Sequence, residues 1–73
     1  MKKYDFVRVT EAVDEEMKDF VGAEGMIIQV DEHEYTKYPI EVCLFDKKLQ
    51  AIIVDEGNLH FKESELEIIR RDD

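Results

Sequence analysis

The four consecutive residues Asp31-Glu32-His33-Glu34 are the one stretch of this chain whose side chains could hold a metal ion. Alternate residues of an extended segment share a face, so Asp31 could point with His33, and Glu32 with Glu34. A few carboxylate oxygens and one imidazole would bind a divalent ion weakly. The stretch lacks the glycine and the ligand spacing of a calcium loop. We read it as a solvated polar connection and expect no metal. A structural zinc site wants four Cys or His ligands in close pairs, whereas Cys43, His33 and His60 are scattered.

Covalent catalysis needs a nucleophile, a base and an orienting group in contact. The available groups are Cys43 in a β-forming run, Ser64 in a charged turn, and His33 and His60 in separate segments. Nothing in their spacing brings them together. A chain of 73 residues also leaves little room for a pocket of ordinary size. We expect no enzyme and no cofactor. The single cysteine excludes a disulfide within one chain and suits a reduced compartment. No apolar run is long enough for a signal-peptide core or a membrane span, so the expected location is the cytoplasm, away from membranes.

Charge says more about partners. Asp and Glu number 19 against 10 Lys and Arg, a net charge of −9. Nucleic-acid affinity comes from cations that displace counterions at phosphates, so direct binding to DNA or RNA is not expected. An acidic domain is steered toward a basic surface. The candidate partner-binding residues are Asp14, Glu15, Glu16 and Asp19 on one loop, then Glu24, then Asp31, Glu32 and Glu34 with Tyr35 and Tyr38. Tyr35, Tyr38, Phe45, His60 and Phe61 could form an aromatic patch inside this acidic rim, as suits a protein interface. The competing reading places Phe45 and Phe61 in the core, with the tyrosines shielding an edge. For Phe61 the core reading prevails.

These residues must be positioned by short elements. Tyr4 to Thr10 reads as a strand with Val7 and Val9 on one face and Phe6, Arg8 and Thr10 on the other. Glu11 to Val21 reads as a long loop with a helical turn, its Val13, Met17, Phe20 and Val21 closing the open end of a barrel. Gly22-Ala23-Glu24-Gly25 is the strongest turn signal, and Gly25 there offers positive φ or close backbone approach. Strands follow over Met26–Val30 and Ile40–Phe45. Asp46-Lys47-Lys48 reads as a hairpin turn into a fourth strand, Leu49–Val54. After a turn over Asp55-Glu56-Gly57-Asn58, Leu59-His60-Phe61 extends or restarts that strand. Lys62 to Leu66 reads as a 3₁₀ turn before a last short strand, Glu67–Arg70. The expected fold is all-β: a single domain over residues 1–73, a small five-stranded barrel with a long first loop.

Two short patterns carry a resemblance. Val21-Gly22-x-x-Gly25-Met26 opens the second strand, and Phe61-x-x-x-x-Leu66 makes the turn before the last. In these the chain resembles SH3-like barrels of the KOW kind and small SH3-like proteins of bacteria and their phages. The chain departs from KOW-type nucleic-acid binders, which are basic near the glycine loop, by placing Glu24 there, with Asp14, Glu15 and Glu16 on the loop before. It has no Trp for gripping proline-rich helices. The resemblance implies a fold, and function by analogy only. The expected role is a non-enzymatic protein-interaction module of phage or mobile-element type, whose partner is a protein with a basic surface. One alternative is an acidic nucleic-acid mimic that inhibits a host nuclease or defence enzyme. A second is a KOW-like RNA- or ribosome-associated factor. Homo-oligomerisation stays open.

Overall fold

The computed structural model describes residues 1–31, 36–53 and 59–71, with the backbone alone for Lys47, Ile52 and Ile53. Five strands form one antiparallel sheet: β1 (Phe6–Val9), β2 (Glu24–Val30), β3 (Ile40–Leu44), β4 (Leu59–Phe61) and β5 (Leu66–Arg70). Their order across the sheet is β4-β3-β2-β1-β5. The fold is all-β and small, as the alternation of apolar residues leads one to expect.

That alternation decides what is inside. Val7 and Val9 of β1, Ile27 of β2, Ile40, Val42 and Leu44 of β3, and Leu59 and Phe61 of β4 point inward and are buried. Leu66 of β5 joins them, and Phe20 plugs the core from the first loop. A side-chain period of two then forces the intervening residues onto the other face.

The barrel is not closed. β4 hydrogen-bonds to β3 and β5 to β1, so the two end strands of the sheet remain edges. The connection between them explains this. A 3₁₀ turn over Glu63–Glu65 follows β4 directly, and Thr10 N–H donates to Glu65 O at 2.8 Å. The chain is thereby handed to the end of β1 and away from β4.

The segment read as a fourth strand, Leu49–Val54, is not one. Lys47–Ile53 forms helix α1, and the residues Leu59–Phe61 alone supply β4; Val54 and the turn 55–58 lie outside the described residues. Asp46 caps the helix, its Oδ1 accepting from Lys48 N–H at 3.0 Å and Leu49 N–H at 3.3 Å. Gln50 Nε2 ties the helix to Leu44 O at 2.6 Å. Lys, Leu, Gln and Ala are all good helix formers, and α1 packs beside the first-loop turn. Replacing Asp46 by alanine should cost about 1 kcal/mol. The check is the loss of helical Cα shifts over α1 with the sheet signals unchanged.

The first loop holds a 3₁₀ turn over Glu15–Phe20. Phe20 is buried and Met17 packs on the core. Val13 and Val21, expected to help close the barrel end, are instead exposed, because the turn spans only Glu15–Phe20 and both lie outside it, Val21 in extended conformation. The two glycines divide the roles expected of Gly25. Positive φ belongs to Gly22, at +96°. Gly25 lies inside β2, opposite Leu44, where it permits close backbone approach.

Candidate functional site

With the core on one side of the sheet, Phe6, Met26 and Cys43 come to lie in a row on the other, each directly across from the next through the β1–β2 and β2–β3 registers. Arg70 of β5 stands opposite Phe6. Its guanidinium carbon is 4.9 Å from the Phe6 ring centroid. A second row runs beside the first. Glu67 faces Arg8, and Arg8 faces Glu24. Phe45 follows, its N–H donating to Glu24 O at 3.0 Å.

That backbone bond carries the strand geometry of β3 one residue further, so Phe45 shares the outer face with Cys43. The Phe45 ring leans diagonally across to Phe6, with centroids 5.7 Å apart and planes inclined at 53°. Tilted pairs of this kind are favourable beyond their area. Phe45 is nevertheless 58% exposed. The core reading of Phe45 is thus corrected, and that of Phe61, fully buried, is upheld.

The charges beside the rings are ordered. Arg8 donates through Nε and Nη2 to one oxygen of Glu24, at 3.1 and 2.6 Å. That hydrogen bond and the Glu24 charge, with a smaller part from Glu67, hold the Arg8 pKa above its usual value. At the other end of the face His60 Nε2 lies 3.5 Å from Glu41 Oε1.

The residues singled out in the sequence do not form one surface. Asp14, Glu15, Glu16 and Asp19 are exposed together around the first-loop turn. Asp14 caps it, accepting from Glu16 N–H at 3.0 Å, and Glu15 pairs with Lys18 at 3.4 Å. Glu24 belongs to the sheet face just described. Asp31 accepts from Thr36 Oγ1 at 2.9 Å. Glu32, His33, Glu34 and Tyr35 lie outside the described residues. Tyr38 is half-buried beneath two cations, Lys37 and Lys62, each with its ammonium 5.5 Å from the ring centroid. Tyr38 and Phe45 sit at opposite ends of β3, roughly 20 Å apart by the rise of a strand, so they do not share a patch. Of this face only Glu24 and Phe45 were singled out in the sequence; Phe6, Arg8, Met26, Cys43, Glu67 and Arg70 were missed as site residues. Only strand register brings them together.

Two buried carboxylates have structural duties. Glu65 accepts from Val13 N–H at 2.9 Å and from Lys62 N–H at 2.8 Å, one on each oxygen. Asp5 accepts from Lys2 N–H at 3.1 Å. Among the described residues no buried side-chain nitrogen or oxygen lacks a partner, and no group of His, Cys, Asp and Glu could hold a metal ion. No helix among them is long and apolar enough to cross a membrane. In comparison with known proteins, the chain matches no family model, no curated protein and no solved structure.

Proposed function

We propose that this chain is a non-enzymatic protein-interaction module that docks a protein partner on the outer face of its sheet, with Phe45 at the centre. The observation that carries this reading is the Phe6–Phe45 pair. A large ring held in place by a backbone hydrogen bond and a second ring, yet 58% exposed, has the form of an interface anchor. Half-buried Met26 and Cys43 extend the apolar surface around it. Charged residues form its rim, as in other protein interfaces. The net charge of −9 favours a partner with a basic surface. The strand order and the 3₁₀ turn before β5 are compatible with an open SH3-like barrel.

The Phe45→Ser variant tests this. Its stability should change by no more than about 0.5 kcal/mol, since the ring leaves a surface and not the core. In affinity capture from a nuclease-treated bacterial lysate, it should lose the partner that the wild type retains. Full retention of that partner at high salt by the variant would show that the face is not the docking surface. Capture that disappears at high salt and ignores Phe45→Ser would favour the acidic mimic instead, acting through Glu15, Glu16 and Asp19, which are exposed together.

A further inference from the structure

The two rings of the docking face have different electrostatic surroundings. Phe6 already carries a cation, the Arg70 guanidinium, 4.9 Å from its centroid. Phe45 carries none among the described residues; acidic Glu24, paired with Arg8, and Asp46 adjoin it, and Lys47 and Lys48 come next in the chain. Glu24 is bonded to it through the backbone, and Asp46 follows it in the chain; Glu67 ends the same row, three strands from Phe45. Arg8 is the one cation in that row, and it sits between Glu24 and Glu67. Of the two touching rings, Phe6 thus has its outer side occupied by a cation and Phe45 leaves its ring 58% exposed beside Asp46 and Glu24.

From this asymmetry we propose that Phe45 receives an arginine side chain of the protein partner, stacked on the exposed ring with Asp46 as its counter-charge and Glu24 shared with Arg8. The inference rests on the docking face proposed above and names the chemistry of its occupant. An aromatic face attracts a cation through the ring quadrupole. Arginine fits better than lysine because its planar guanidinium is weakly hydrated and lies flat on a ring, whereas an ammonium is a strongly hydrated point charge. Arg70 on Phe6 shows the same contact made internally. The acidity of the chain as a whole adds long-range attraction for such a segment, and the aromatic ring localises it.

The test uses the intact chain, labelled with nitrogen-15, and two probes, hexa-arginine and hexa-lysine, at matched ionic strength. The arginine peptide should bind about threefold or more tightly than the lysine peptide. Its amide shifts should centre on Phe45, Asp46, Glu24 and Phe6. Phe45→Leu keeps an apolar side chain but has no ring, so it should remove the preference for arginine and leave the circular dichroism unchanged. Equal binding of the two peptides by the wild type overturns the proposal. So do shifts centred on Asp14, Glu15, Glu16 and Asp19, or a preference that survives Phe45→Leu. The two readings fail separately. If Phe45→Leu still captures the protein partner and no arginine preference exists, the arginine site falls and the docking face stands. If Phe45→Ser keeps the partner at high salt, it is the docking face that has failed.

Discussion

Replacing Gly25 by valine should lower the melting temperature by about 12 °C or more. A Cβ at this position would stand 2.5 Å from Cys43 O, 2.9 Å from Val42 Cγ1 and 3.0 Å from Leu44 Cα. Two of those atoms are backbone and cannot turn aside. Relief requires β2 and β3 to part around the Gly25–Leu44 pair, and with them Ile27, Val42 and Leu44 of the core. Overpacking of this kind costs about 3 kcal/mol where the neighbours are rigid. That is a large share of the total stability of so small a domain. Gly22 provides the contrast. Its φ is +96° and an added Cβ would meet nothing, so Gly22→Ala should cost only about 1–2 kcal/mol, from backbone strain alone. Thermal unfolding of the two variants side by side is the measurement. An ordering with Gly22→Ala the worse would mean that close approach at Gly25 is not what demands glycine.

Replacing Glu65 by alanine should cost about 2–4 kcal/mol, although it removes a charged residue from a strongly acidic chain. The Glu65 carboxylate joins two parts of the molecule that are far apart in sequence. One oxygen holds Val13 N–H in the first loop and the other holds Lys62 N–H at the end of β4. Its backbone carbonyl accepts from both Thr10 N–H and Thr10 Oγ1. Without the carboxylate, the two N–H donors lose their charged acceptor, and bonds to an ionised group are among the strongest a protein makes. Glu65→Gln keeps one acceptor and should recover part of the loss. Urea unfolding measures the cost, and amide exchange at Val13 and Lys62 locates it. Unfolding midpoints equal to wild type in both variants would show that the Glu65 carboxylate does not hold the first loop.

Asp46 and Glu65 show why some of the fold was hard to read. An aspartate before two lysines is as good a hairpin-turn residue as it is a helix cap. The β-branched run Ile52-Ile53-Val54 favours a strand by propensity. Lys47–Ile53 became helical because Asp46 capped it, Gln50 reached Leu44 O and the first-loop turn gave it a surface to pack on. Glu65 looked like one more surface acid in a charged turn. Its burial followed from the arrival of Val13, fifty-two residues earlier in the chain, at one of its oxygens.

The candidate site divides in the same way. Phe6 was legible as an outward residue, because Val7 and Val9 had to face the core. Phe45 shared a face with Cys43 on the same argument, yet its exposure was not readable, since a large ring at a strand end suits a core as well as a surface. The acidic residues Asp14, Glu15, Glu16 and Asp19 were correctly placed on one loop. Their grouping with Tyr38 was not found, because Tyr38 lies at the far end of β3 beneath Lys37 and Lys62.

By itself the sequence determined the quantities that depend on neighbours along the chain. These are the net acidity, the sets Val7/Val9 and Ile40/Val42/Leu44 that share a face, the core place of Phe61, the 3₁₀ turn before β5, and the presence of glycine at positions 22 and 25. The backbone period of a strand carries that information locally. Tertiary structure alone decided the open barrel, which of the two glycines takes positive φ, the anchoring of the first loop by Glu65 and the meeting of Arg70, Phe6, Met26 and Phe45. Each of these depends on which strand lies beside which and in what register, and register comes from contacts between residues distant in the chain.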